Sequence, residues 1–279
     1  MKKLLISLAI SLSLNSSSWA SATQTYIYRH NGSNVKAAVQ PEEPEDTAIR
    51  RTLSACGGGV QLMNLFSAEE WTGEFEKIVT VPTGAICGNI NAARYNNPSI
   101  SLGPMIFDGS LTLTVDGEVQ GAGGIGGDPS RSMSGGTAIL LNGAGRKGQK
   151  INIVVNGAVR AGGGAGGWGA KAGTILYPDN KNVFGGDGGS GGNGQGYLQS
   201  SEDGEEGGPW YPVPEFPERT GVNGYKGGAG GGWGEAGQKG VDAVDGSGYG
   251  MPGANGGTAI FGAGNANITN NGVIQGAID

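Results

Sequence analysis

The feature that most constrains this chain is the spacing of its glycines. Gly228, Gly231, Gly234, Gly237 and Gly240 recur at every third place, and the same step runs through Gly121, Gly124 and Gly127, through Gly163, Gly166 and Gly169, and through Gly250, Gly253 and Gly256. Residues 185–194 read GGD-GGS-GGN-G. An extended threefold helix has three residues per turn and no internal hydrogen bonds. Glycine at every third place leaves one face of such a helix bare, so neighbouring segments can approach until their backbones bond to each other. One segment alone cannot hold. Ordering costs about 1–2 kcal/mol per residue, most for glycine, and each backbone hydrogen bond returns only about 0.5–1.5 kcal/mol net. The pattern therefore predicts a stacked lattice of several segments.

Glycine makes up 59 of 279 residues, roughly three times the average usage, and most of it falls after residue 108. Flexible linkers are usually Gly/Ser/Glu mixtures without aromatics or a fixed step. Here Trp168 and Trp233 stand in matching GGWG contexts, which favours order. A collagen triple helix is disfavoured because the step is interrupted and prolines are scarce within the runs. Gly163, Gly166, Gly231 and Gly234 are expected to be structural, with Trp168 and Trp233 stacked on the lattice backbone.

An internal repeat accompanies the glycine runs. Residues 113–121 (LTVDGEVQG) are echoed at 153–161 (IVVNGAVRA) and 268–276 (ITNNGVIQG). Each copy carries a β-branched approach, an Asp-Gly or Asn-Gly pair and a second apolar stretch. Such pairs suit tight turns with φ > 0, so the copies are expected to be β-turn units. Gly-Gly-Thr-Ala-Ile also occurs twice, at 135–139 and 256–260.

The remainder is conventional. Lys2 and Lys3, an apolar run to Leu14 and the small residues Ala20-Ser21-Ala22 have the pattern of a secretory signal cleaved after Ala22. No later run is long or apolar enough for a membrane helix, so no span is expected in the mature chain. Residues 23–52 read as an acidic, proline-broken linker. Residues 53–107 are expected to form a small α+β module, with Ser67 and Glu70 as the capping box of a helix over 68–75 and a strand over 77–82. An exported chain enters an oxidising compartment, so Cys56 and Cys87 are expected to form a disulfide. Removing Lys2 and Lys3 takes the formal charge from −6 to −8, which argues against nucleic acid as a partner.

Catalytic chemistry finds no support. A single histidine, His30, gives no nucleophile–base arrangement, and no phosphate loop or dinucleotide unit is present. Residues 185–196 lack the recurring acid of nonapeptide calcium repeats, so neither metal nor cofactor is expected. Aromatic residues are more informative, because a glycine lattice has little interior to receive them. Tyr177, Tyr197, Trp210, Tyr211, Phe216, Tyr225 and Tyr249 are the candidate ligand contacts, since Trp and Tyr combine large area with a polar handle. The sharpest case is the acidic, proline-stiffened stretch 200–220, read as a contact loop.

Period-three glycine motifs separated by variable aromatic loops, with β-turn repeats at their borders, resemble the distal tail-fibre adhesins of T-even-type bacteriophages. The resemblance covers residues 108–279, with motifs around 121–127, 162–169, 185–196, 227–240 and 250–257. It implies a sandwich of polyglycine II helices, whose loops at one end (128–134, 171–184, 197–225 and 241–249) bind an outer-membrane protein or surface glycan. The signal-like start departs from that family, whose members assemble in the cytosol. The expectation is an exported, non-enzymatic binding protein at the cell surface, in the periplasm or secreted. Two alternatives remain: a structural or protective surface protein using the glycine domain as a rigid spacer, and an adsorption protein of an envelope-assembled phage.

Overall fold

The computed structural model describes residues 47–54, 56–90, 97–126, 133–141, 150–175, 184–209, 221–244 and 247–279. The signal-like start and nearly all of the expected linker lie outside them. Among the described residues fifteen strands form three five-stranded sheets, and every strand pairing is parallel. The chain visits the sheets in rotation, giving five stacked coils of three strands. The first coil contains β1 (Ile49–Thr52), β2 (Cys56–Gly57) and β3 (Val60–Gln61), and the second β4 (Glu76–Val81), β5 (Ile86–Gly88) and β6 (Ile100–Ser101). β7 (Ser110–Val115), β8 (Glu118–Gln120) and β9 (Ile139–Leu140) form the third coil. The fourth has β10 (Lys150–Val155), β11 (Ala158–Arg160) and β12 (Thr258–Phe261), and the fifth β13 (Ala266–Asn270), β14 (Val273–Gln275) and β15 (Ala277–Ile278).

Side chains alternate across a strand, so one set per strand points into this three-faced column. Register stacks them by position: Val79, Leu113, Ile153 and Ile268 in the first sheet, Ile100, Ile139, Ile260 and Ile278 in the third. Val79, Leu113, Ile153, Ile100, Ile139 and Ile260 are buried in one continuous core. Each fully buried aliphatic contributes about 1.5–3 kcal/mol. The strand expected over 77–82 is β4, shifted by one residue.

The three repeat copies occupy equivalent places in coils three, four and five. Each expected β-turn unit is a corner between two sheets. Gly117, Gly157 and Gly272 are absent from the positive-φ residues, so the left-handed region is not why glycine stands there. Close approach is the reason. A Cβ on Gly157 would lie 2.0 Å from Gly117 O, and one on Gly272 2.1 Å from Gly157 O. Beside them the corner side chains form a ladder: Asn156 Nδ2 donates to Asp116 Oδ1 (2.7 Å) and Asn271 Nδ2 to Asn156 Oδ1 (2.9 Å). Ile139 and Ile260, from the two Gly-Gly-Thr-Ala-Ile copies, are register partners.

The expected helix forms as α1 (Ala68–Thr72), with the Ser67–Glu70 capping box present, and ends at Gly73 rather than residue 75. Trp71 is buried, with ring centroids 5.6 Å from Phe66 and 5.2 Å from Phe107. Arg51 takes the inward register position of Val79 and reaches Leu65 O (2.8 Å) and both Glu70 oxygens. Lys77 is fully buried and donates to Gly73 O, Phe75 O and Asp108 O at 2.8–3.1 Å. Burial pushes its ammonium below the usual lysine range, against the opposing pull of Asp108.

Cys56 and Cys87 are joined as a disulfide, as expected, and are register partners in β2 and β5. The division drawn at residue 108 does not separate two compact units, because residues 46–279 form one. β4 and β7, from opposite sides of that boundary, pair over six residues. Residues 49–52, assigned to a linker, form β1. Glycine content misplaced both boundaries because the column's sequence lies on both sides of the glycine runs.

Those runs are enlargements of a single corner, the one leading from the second sheet to the third. In the first coil this corner is Gly58-Gly59, and in the fifth it is Gly276, all at positive φ. In coils three and four it is extended to residues 121–138 and 161–257. The extended segments bond to each other at every third residue. Gly163, Gly166, Gly169 and Ala172 donate to Gln195, Gly192, Gly189 and Gly186, and Gly186, Gly189, Gly192 and Gln195 donate in turn to Val222, Tyr225, Gly228 and Gly231, all at 2.7–3.0 Å. The glycines are required by contact: a Cβ on Gly166 would lie 1.9 Å from Gly228 O, and one on Gly191 1.9 Å from Gly166 O.

Candidate recognition end

The step-of-three register determines where the turns between segments lie. At the column, Gly121 donates to Arg160 O, Gly234 to Ala161 O and Gly257 to Gly162 O at 2.7–2.9 Å. At the far end, Ala172 donates to Gly186 O, Gly186 to Val222 O, Gly208 to Asp187 O, Ala170 to Val241 O and Ala243 to Gly248 O, at 2.8–3.0 Å. The residues flanking 176–183, 210–220 and 245–246 therefore meet at one end of the lattice, away from the column. The flanks of 127–132 lie nearer the column, where Gly124 bonds Gly163 O and Ala165 bonds Met133 O.

Exposed apolar side chains gather at the far end: Phe184, Val222, Val241, Val244 (91% exposed) and Tyr249 (80% exposed). The described lysines beside them are all paired with acids. Lys171 lies 2.9 Å from Asp187, Lys226 3.4 Å from Glu206 and Lys239 2.7 Å from Asp242. The Lys239 hydrogen bond, seconded by the Gly250 N–H, holds the Asp242 carboxyl below its ordinary value. Lys239 Nζ also lies 6.0 Å from the centroid of the Tyr249 ring. Among the described residues, the end thus combines exposed apolar side chains with lysines that are each paired to an acid.

Of the expected contact residues, Tyr177, Trp210, Tyr211 and Phe216 lie outside the described residues. Tyr249 is at the far end. Tyr225 is half-buried within the lattice, its N–H bonded to Ala170 O and its carbonyl to Gly189 N. Tyr197 is at the opposite end, in a turn closed by Gly196 and Gln199, with its ring lying across Gly88. Gly163, Gly166 and Gly231 sit inside the bonded rows, and Gly234 closes a turn at φ +70. Trp168 and Trp233 are half-buried. The first lies against Gly188, and the second has Arg160 5.8 Å from its ring centroid.

The stretch 200–220 is not a single loop. Residues 201–209 form a further lattice segment, in which Glu202, Glu205 and Gly208 donate to Asn193 O, Ser190 O and Asp187 O. Asn193 Nδ2 donates to Glu202 Oε2 (2.6 Å) and Ser190 Oγ to Glu205. Gly204 and Gly207 continue the step of three, and the flanking acids obscured that signal. Phe184, Val241 and Val244 lie within 171–184 and 241–249, two of the loops that the resemblance implies, but are not among the residues singled out there.

A second concavity, of about 280 Å³, lies along the column corner beside Thr83, Gly84, Asp116 and Glu118. Its acids are engaged, Asp116 by Asn156 and Glu118 by Arg160. Among the described residues no cluster of three metal-ligating side chains occurs, and no helix is long and apolar enough to cross a membrane.

Residues 49–278 match the family model for the phage tail fibre adhesin Gp38. The chain is also similar to a chain of the gp37–gp38 adhesin tip complex of the bacteriophage S16 long tail fibre, at 17% identity over 82% of each chain with a TM-score of 0.43. No curated protein sequence matches it.

Proposed function

This chain belongs to the phage tail fibre adhesin Gp38 family, and from that premise we propose that it is a non-enzymatic receptor-recognition protein whose contact surface is the far end of the glycine lattice. One observation carries the reading: the residues flanking 176–183, 210–220 and 245–246 meet at that end. The glycine block acts as a lattice of polyglycine II helices, supported by backbone bonds at every third residue. Its stiffness holds the segment ends in a fixed arrangement, which reduces the ordering cost of binding.

A protein on the bacterial outer surface fits better than an acidic glycan. Phe184, Val241, Val244 and Tyr249 offer apolar area, whereas an anionic polymer needs unpaired cations. Tyr177, Trp210, Tyr211 and Phe216 are the further contact candidates of this reading. The column carries the lattice and is the part that would join a fibre. Export through a signal at 1–22 belongs to the same reading, since an oxidising compartment closes the Cys56–Cys87 pair.

The test is cell binding by the purified chain. Val244→Asp and Tyr249→Ala, combined, are expected to abolish binding to susceptible bacteria without changing Tm. Retained binding by this variant and by a chain lacking 210–220 would favour the spacer role instead.

A further inference from the structure

Cys56 and Cys87 lie inside the column, at 4% and 0% exposure, in the inward stack that continues through Val119, Val159 and Ile274. The later coils fill this stack with branched aliphatics, and only the first two are joined covalently. The first coil pairs with the second over four residues at β1, but over only two at β2 and two at β3. The residues after the cysteines, Gly57 and Gly88, are covered by one side chain from the lattice. A Cβ on Gly88 would lie 2.0 Å from Tyr197 Cγ, and one on Gly57 3.8 Å from its hydroxyl. Tyr197 and Leu198 form the turn joining the segment that ends at Gly196 to the one that begins at 201. Leu198 is held there at φ +57 and 82% exposed, a conformation that persists only if its surroundings impose it.

We propose that the Cys56–Cys87 bond is a redox-governed clasp. It holds the first coil on the second and so completes the seat of the Tyr197–Leu198 turn at the base of the lattice. In a reducing compartment the pair is a dithiol, and the first coil opens and closes together with α1. A small-molecule disulfide closes it. One cysteine thiolate attacks the external disulfide and expels a thiol, then the second attacks the mixed disulfide and expels the other. The protein pair is oxidised and the external disulfide is reduced to two thiols. Because both sulfurs are buried, exchange in either direction requires the first coil to lift, which couples the redox state to that motion.

Limited proteolysis of the full chain, with and without reductant, tests this, with fragments mapped by mass spectrometry and thiols counted by alkylation. Proteolysis under fast reclosing follows the population of the open form, and the chain-entropy model for a loop of this length predicts a rise of roughly several hundredfold. Cleavage is expected to increase after Arg50, Arg51 and Trp71 and at Tyr197–Leu198, while 110–115 and 150–155 stay resistant. The double variant Cys56→Val/Cys87→Val, which restores the filling of the later coils, is expected to be indifferent to reductant. Unchanged cleavage with both thiols alkylated, thiols that never become accessible, or a reductant response in the double variant would each overturn the clasp.

Discussion

The column and the lattice solve the same problem with opposite means. In the column, side chains do the packing: Leu113, Ile153 and Ile139 fill an interior whose backbone bonds run along three sheets. In the lattice side chains are excluded, and Gly163, Gly166, Gly189 and Gly192 are buried because nothing projects from them. A column residue is therefore harmed by losing atoms and a lattice residue by gaining them. The contrast also separates roles. The column is a foundation with a conventional core, whereas the lattice keeps its side chains for its surface and its far end.

Substitutions of opposite sense can break this comparison. Ile153→Ala should cost most, about 2–5 kcal/mol, as lost burial plus a cavity, read as a lower midpoint in denaturant unfolding. Gly166→Ala should follow at about 1–3 kcal/mol, the usual scale of overpacking. Its sign is the sharper point, since Gly→Ala stabilises by about 0.4–1 kcal/mol where the backbone accepts it. Gly264→Ala is the control, because an added Cβ there meets nothing within 4 Å, and it should raise the midpoint slightly, by about 0.4–1 kcal/mol. Asn156→Ala breaks the corner ladder on both sides and should cost about 0.5–1.5 kcal/mol. The smallest effect concerns acid. The Asp242 carboxyl is held below its ordinary value of 3.8, so its contribution is complete above that pH and is lost as pH falls through the lowered value. Amide exchange over 241–250 should accelerate below about pH 3.8 relative to 163–169.

Much of the lattice was legible because its requirement is local. A bare position every third residue can be read from Gly228 to Gly240 without knowing any partner. The capping box at Ser67 and the Cys56–Cys87 pair were legible for the same reason. The column was not, because its order is carried by distant pairs. Asn156 and Asn271 stack across 115 residues, with the glycine insertion between them. Asp-Gly and Asn-Gly read the same whether glycine serves a positive φ or a close approach, so turn chemistry alone does not show that 113–121 and its two copies are stacked column corners. Of the residues chosen by aromatic type, Tyr249 lies exposed at the far end and Tyr197 packs on Gly88. Position in the register, invisible until the segments were aligned, separates the two.

Residue-resolved amide hydrogen exchange across 161–257 tests the central claim most directly. The account predicts slow exchange at Gly163, Gly166, Gly169, Gly189 and Gly192, comparable to β7 and β10, with fast exchange confined to the loops and segment ends. Exchange at those glycines as fast as in an unfolded peptide would contradict it.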